Sequence, residues 1–373
     1  MILKKIFITL LFVTTLYACS KSDDINPEEN QDNFDRAEML VNWADNIIVP
    51  SYNDFNLTTV NLISFTAAFN ETTTQENLEM LRTVYKEAYL SFQNVALFEI
   101  GPAETVRFYD RLNTYPTNIS EIEGLIAAGA TDLSLPSTND AQGFPAIDYM
   151  LYGVGENDVE ILEFYTTHPN AEKNKAFLMA LVSNINGLIS NVSENWTAGY
   201  RDDFVNNNGS SAAASVDKLT NDFVFYYEKH LRAGKIGIPA GIFSNNPLPN
   251  TVEALYAKDF SKALALEALN ATERFFKGQS FNTSETGPSY AGYLNFLNTI
   301  KNGEDLSSII TAQFSIAKNQ LNTLDTNFIN QINTNNSAML QTYDELQRNV
   351  ILLKVDMMQA LSINVDYVDA DGD

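Results

Sequence analysis

Cysteine is nearly missing from this 373-residue chain: Cys19 is the only one, so no intrachain disulfide can brace the fold. Histidine is almost as scarce, with two, His168 and His230, and neither belongs to a His-Glu-x-x-His zinc pair. There is no Gly-x-Ser-x-Gly elbow and no phosphate loop, which removes the common serine-hydrolase and nucleotide-binding readings. Basic residues are few: 23 Lys and Arg stand against 47 Asp and Glu, a formal charge of -24. A field of that sign repels nucleic acid and anionic headgroups, so nucleic acid is excluded as a partner and a membrane would have to be held by other means. Finally, no long stretch alternates polar and apolar residues with period two, so an extended sheet is not expected.

The N-terminus supplies the means. Lys4 and Lys5 precede an apolar run from Ile6 to Val13, followed by Leu16-Tyr17-Ala18-Cys19. That order describes a secretory signal over residues 1–18, with an apolar stretch too short to span a bilayer. A Cys directly after Leu-x-Ala resembles the lipobox of bacterial lipoproteins, which implies acylation of Cys19 and an outer-membrane lipoprotein facing the periplasm or the cell surface. Residues 19–33 carry Asp23, Asp24, Glu28 and Glu29 with Pro27 and few apolar side chains, the composition of a disordered acidic tether. The Ser22-Asp23-Asp24 run within it resembles surface-export signals of Bacteroidetes lipoproteins.

Beyond the tether the apolar spacing is helical. Leu40, Val41, Ala44, Ile47 and Ile48 form a segment expected to end at Pro50. Leu78, Leu81, Tyr85, Ala88, Phe92 and Val95 continue for five turns after a Thr73-x-x-Glu76 start. Phe177 to Val192, Leu264 to Phe275, Leu294 with Leu297 and Ile300, and Met339 to Leu361 repeat the pattern. The fold class is therefore all-α, two packed helical bundles. The small polar stretch Asn206–Ser215 sets the expected boundary, giving residues 34–205 and 206–373.

Several segments carry a family resemblance. Gly143-Phe144-Pro145-Ala146-Ile147-Asp148-Tyr149-Met150-Leu151-Tyr152-Gly153 resembles the imelysin signature, Gly-x-His-x-x-Glu in a Gly-Phe-His-Ala-Ile-Glu-Tyr frame. Phe98-Glu99-Ile100-Gly101-Pro102, Tyr115-Pro116, Lys235–Gly241 and Val252-Glu253-Ala254-Leu255-Tyr256 are similar to further segments of Bacteroidetes members, in the same order. The Asp369-x-Asp371-x-Asp373 end is similar to their acidic termini.

The resemblance implies a peptidase history, and equally a connection with iron or haem uptake alongside an outer-membrane uptake protein. The departures bear on which of these applies. Pro145 stands at the His position and has no donor atom, and Asp148 stands at the Glu position. His and Glu at i and i+3 share a helix face and would make a metal pair; Pro cannot. What remains are the oxygens of Glu99, Asp148 and Glu253, which would suit iron or another divalent cation if they converge near Gly143 and Tyr256. Alternatively, Glu99 and Glu253 are buried acceptors tying loops to helices, and Asp148 is a first-turn charge favoured by the helix dipole. His168 is expected in a polar loop, and His230 near a helix end beside Lys229 and Arg232. The leading expectation is a lipid-anchored, non-enzymatic binding protein of the envelope. A metallopeptidase using the surviving acids, or a scaffold without a site, are the alternatives.

Overall fold

The structure, a computed structural model, describes residues 33–367. The signal, Cys19, the tether through residue 32 and the Asp369-x-Asp371-x-Asp373 end lie outside those residues. From Phe34 onward the described residues form one compact unit. It is all-α, and the only strands among the described residues are the two-residue pair Ile300–Lys301 and Glu304–Asp305. Ile300, expected on a helix, sits in that small hairpin because the helix Tyr290–Phe296 ends first and the chain turns through left-handed Asn298.

The first helix overrides its proline. Arg36–Asn42, Trp43–Ile48 and Val49–Glu71 run on without a break through Pro50. The middle piece is π-helical, and the wider register accommodates a residue that has no N–H to give to the preceding turn. Burial on the inner face repays the irregularity, since Trp43, Ile48, Tyr52 and Phe55 are wholly inaccessible. Val49–Glu71 packs against both Gln75–Phe92 and Ala171–Asn195, which gives the first set of helices its core. The Gln75–Phe92 helix starts one residue later than the capping pattern suggests, with Thr74 accepting the Asn77 N–H at 3.3 Å.

After residues 207–214 a second set is built from Ser215–Phe225 and its π-helical continuation Tyr226–Gly237, Ser261–Lys277, Leu306–Asn322 and Phe328–Val350. Glu228 fastens this set from inside. It pairs with Lys354 at 2.9 Å and accepts from the Tyr367 hydroxyl at 2.9 Å, so Ile351–Met357, the continuation of Phe328–Val350, is tied to the π-helical segment. The two sets meet where Ser261–Lys277 packs on Gln75–Phe92, and the loop leading into that contact brings Glu253 toward the signature helix.

Candidate functional site

The signature forms a helix, Gly143–Asp148, continued by a π-helical turn, Tyr149–Gly153. Gly143 is needed for its backbone. Its φ is +74°, and a Cβ there would lie 2.3 Å from the carbonyl oxygen of Leu112. Phe144 stacks on Tyr89 with ring centroids 4.4 Å apart and planes 4° from parallel. Pro145 is buried at the third helical position, where a proline costs no intrahelical bond.

Asp148 is not in the first turn. It is the sixth residue of the helix, and its carboxylate reaches across to another segment: Oδ2 accepts the N–H of Tyr256 at 2.8 Å and Oδ1 that of Ala257 at 2.9 Å. The dipole reading of Asp148 is thereby corrected, because the helix begins at Gly143 rather than at the proline. Burial pushes the Asp148 carboxyl up to about 7, against the two backbone N–H groups that hold it down. The tie is required by the loop's own backbone, which takes positive φ at Ala254 and Lys258 and forms no regular ladder. Tyr256 follows from the same latch, with its ring against Gly153, where a Cβ would approach to 2.5 Å, and edge-on to Tyr149 at 5.3 Å.

Glu253, on the same loop, is buried and faces Lys235 in a salt bridge with both side chains at most 2% exposed. Its other oxygen accepts from Asn113 Nδ2 at 2.8 Å and from the Tyr89 hydroxyl at 3.1 Å. The phenols of Tyr89, Tyr109, Tyr115 and Tyr226 are all pushed up, first by burial and next by the Glu253 carboxylate. Burial lowers Lys235, and Glu253 opposes that.

His230, half-buried, packs against the edge of this centre. Its helix runs on through Gly237, so the imidazole is mid-helix and not at an end; it stacks on Tyr109 with centroids 3.6 Å apart. Burial and then Lys235 push it down to about 3, so it is neutral. His168 lies in an exposed turn, as expected, with Nδ1 accepting the Asn170 N–H.

Glu99 is placed apart from that centre. Its Oε2 accepts the N–H of Tyr109 at 2.9 Å, and so caps the helix Phe108–Asn113, whose own cap residue Arg107 offers no side-chain bond. Its backbone N–H donates to Asp222 at 2.6 Å. The structure therefore brings Asp148 and Glu253 onto one latched loop and leaves Glu99 on another surface. Among the described residues no three His, Cys, Asp or Glu side chains are grouped so as to hold a metal ion. The physical reason is donor supply, since each acid already receives backbone N–H groups, an amide or an ammonium.

Lys235, His230, Tyr115 and Asp222 were not legible as site residues. For Lys235 the available signal was one cation in the apolar frame Ile236-Gly237-Ile238-Pro239-Ala240, which a surface lysine does not need.

Burial, then the N–H of Tyr109 acting in the opposite sense, leaves Glu99 raised from 4.5 to about 8. The folded state then holds a proton that the unfolded chain has lost, so stability falls as pH rises from about 4.5 to about 8. Glu99→Gln keeps an acceptor and removes that decline. Its melting temperature relative to the parent should climb across this window, reaching an advantage of about 2–4 kcal/mol above it. A difference that stays flat with pH would show that Glu99 is not held protonated.

Comparison with known proteins agrees with this architecture. The family model for imelysin, peptidase M75, matches residues 48–352. The chain belongs to the imelysin family. An imelysin-like protein from Psychrobacter arcticum 273-4 superposes with a TM-score of 0.70 at 15% identity, over 89% of this chain and 97% of that one. A candidate iron-regulated protein A precursor from Parabacteroides distasonis ATCC 8503 gives 0.69 at 16% identity, over 85% and 94%. At these identities the likeness is one of fold. No curated protein matches the chain in sequence.

Proposed function

We propose that this imelysin-family chain is a lipid-anchored binding protein of the cell envelope, serving iron or haem acquisition and not peptide hydrolysis. The observation that carries the second half is the Asp148 latch. A hydrolytic metal site needs protein ligands, an open coordination position and a general base. Here the signature's His position is Pro145, both Asp148 oxygens receive backbone N–H groups, and Glu253 is paired with Lys235. The signature thus serves to hold two segments together. The iron connection is supported by the name of the Parabacteroides distasonis protein that shares the fold. The anchor is supported by the Leu16-Tyr17-Ala18-Cys19 resemblance to a lipobox, and on this reading the protein sits in the outer membrane, facing the periplasm or the surface, beside an uptake protein.

The anchor and the function are tested separately. Cys19→Ser should leave the membrane fraction or retain its signal, and labelled fatty acid should mark the parent and not the variant; equal labelling sinks the anchor. Cells lacking the protein should grow more slowly when iron or haem is limiting, and the purified protein should cleave no peptide library. Unchanged growth together with peptide cleavage would favour the metallopeptidase.

A further inference from the structure

The dipeptide Asn-Gly occurs three times in the chain, at Asn186-Gly187, Asn208-Gly209 and Asn302-Gly303. This pair is prone to an internal reaction, because glycine has no Cβ to hinder its backbone nitrogen from approaching the preceding side chain. That nitrogen attacks Cγ of the asparagine: a C–N bond forms, the Cγ–Nδ2 bond breaks, and Nδ2 leaves as ammonia. Water then opens the cyclic imide at either carbonyl. One product is aspartate, and the other is isoaspartate, in which the chain runs through Cγ. Nothing is oxidised or reduced; one water is consumed and one ammonia released. Ring closure needs the glycine nitrogen to swing about ψ of the asparagine onto the side chain, so the surrounding backbone decides which pair can react.

Asn186 is barred from that swing. It lies inside the helix Ala171–Asn195, whose ladder fixes ψ, and its Nδ2 donates to Thr59 Oγ1 at 3.0 Å and to Asn56 Oδ1 at 3.3 Å. Asn302 is held by a hairpin. With φ of +55° and +88°, Asn302 and Gly303 form its left-handed corner, closed by the pairing of Lys301 with Glu304 and of Ile300 with Asp305. Asn208 has neither restraint. It is exposed and outside any helix, strand or turn, and among the described residues neither its side chain nor the N–H of Gly209 has a hydrogen-bond partner. Gly209 answers no packing need, since a Cβ there would meet nothing within 4 Å and its φ is not left-handed. Beneath this pair the connection is closed by other residues: Ser215 N–H donates to the Asn207 carbonyl at 3.0 Å, and Asn207 Nδ2 to the Ala213 carbonyl at 2.8 Å. We propose that Asn208-Gly209 is a modification site, where Asn208 converts through the cyclic imide to aspartate and isoaspartate while Asn186 and Asn302 persist. The conversion places a new carboxylate on the connection between the two helical sets. Because the closing bonds start from Asn207, the helices on either side keep their places.

The test is to hold the full protein in mildly alkaline buffer at physiological temperature and digest samples at intervals under acid conditions. Mass spectrometry then counts amide-to-acid conversion at each asparagine, and electron-transfer fragmentation separates isoaspartate from aspartate. Asn208 should convert faster than Asn186 and Asn302 by about tenfold or more, since those two react only after local opening. In urea-unfolded protein the three rates should converge. Gly209→Ala, which the open space around that position accommodates, should slow conversion at Asn208 several-fold and leave the melting temperature unchanged. Conversion at Asn186 or Asn302 as fast as at Asn208 in the folded protein overturns the proposal. So does an Asn208 that stays intact while the unfolded chain converts, or a rate that Gly209→Ala does not lower.

Discussion

Lys235→Ala should destabilise the protein by about 3–5 kcal/mol, the cost of leaving a buried carboxylate without its cation. Glu253 would keep Asn113 and Tyr89 as neutral donors, and neither supplies charge. The loss should therefore be read as a lower midpoint in urea with an unchanged slope. The pair itself is a different quantity. Removing both charges, as in Lys235→Met with Glu253→Gln, should recover most of what the single change loses, because two buried ions are exchanged for groups that need no desolvation. A single variant within 1 kcal/mol of the parent, a margin typical of an exposed ion pair, would mean that water reaches Glu253 and that the centre is not closed.

Asp148→Ala should cost about 2–4 kcal/mol, since it orphans the N–H groups of Tyr256 and Ala257 at about 1–3 kcal/mol each. Local evidence should accompany the global loss. Amide exchange at Tyr256 and Ala257 should accelerate more than at helix-interior positions such as Leu181, because the latch opens before the bundle does. Asp148→Asn retains one acceptor oxygen and should fall between parent and Ala. A metal-ligand role predicts something else: the parent would lose stability to a chelator and the Ala variant would not. Equal melting of parent with and without chelator, together with the exchange result, assigns the residue to the loop. A neutral Asp148→Ala would remove the latch from the account of the site.

Both predictions concern residues for which sequence gave only a family position. Asp148 and Glu253 were identifiable as notable acids, yet the loop N–H groups that Asp148 receives and the Asn113 and Tyr89 donors of Glu253 lie more than a hundred residues away. The expected convergence of Glu99 with them rested on the segments where the family resemblance concentrates, and shared family positions do not fix distance. Glu99 is 10 residues from its own partner, Tyr109, and caps a short helix that periodicity does not reveal. His230 was misplaced for a related reason. Neighbouring Lys229 and Arg232 suggested a solvated helix end, whereas the buried Leu231 and Ile236 carry the helix onward and leave the imidazole half-buried against Tyr109.

What the sequence by itself determined is the helical architecture, because a 3–4 apolar spacing is local and encodes which face of a segment must leave water. It also marked the polar stretch Asn206–Ser215 as a break in the helical pattern and showed that no intrachain disulfide can form and that the charge is strongly acidic. Even there, Pro50 shows the limit: a missing N–H predicts an end, and only the packing of Trp43, Tyr52 and Phe55 makes a continuous π-helical passage the better solution. Tertiary structure alone decided the chemistry of the centre. Whether a carboxylate binds an ion, caps a helix or latches a loop depends on which donors reach it first, and here they were backbone N–H groups and Lys235, placed by the tertiary fold.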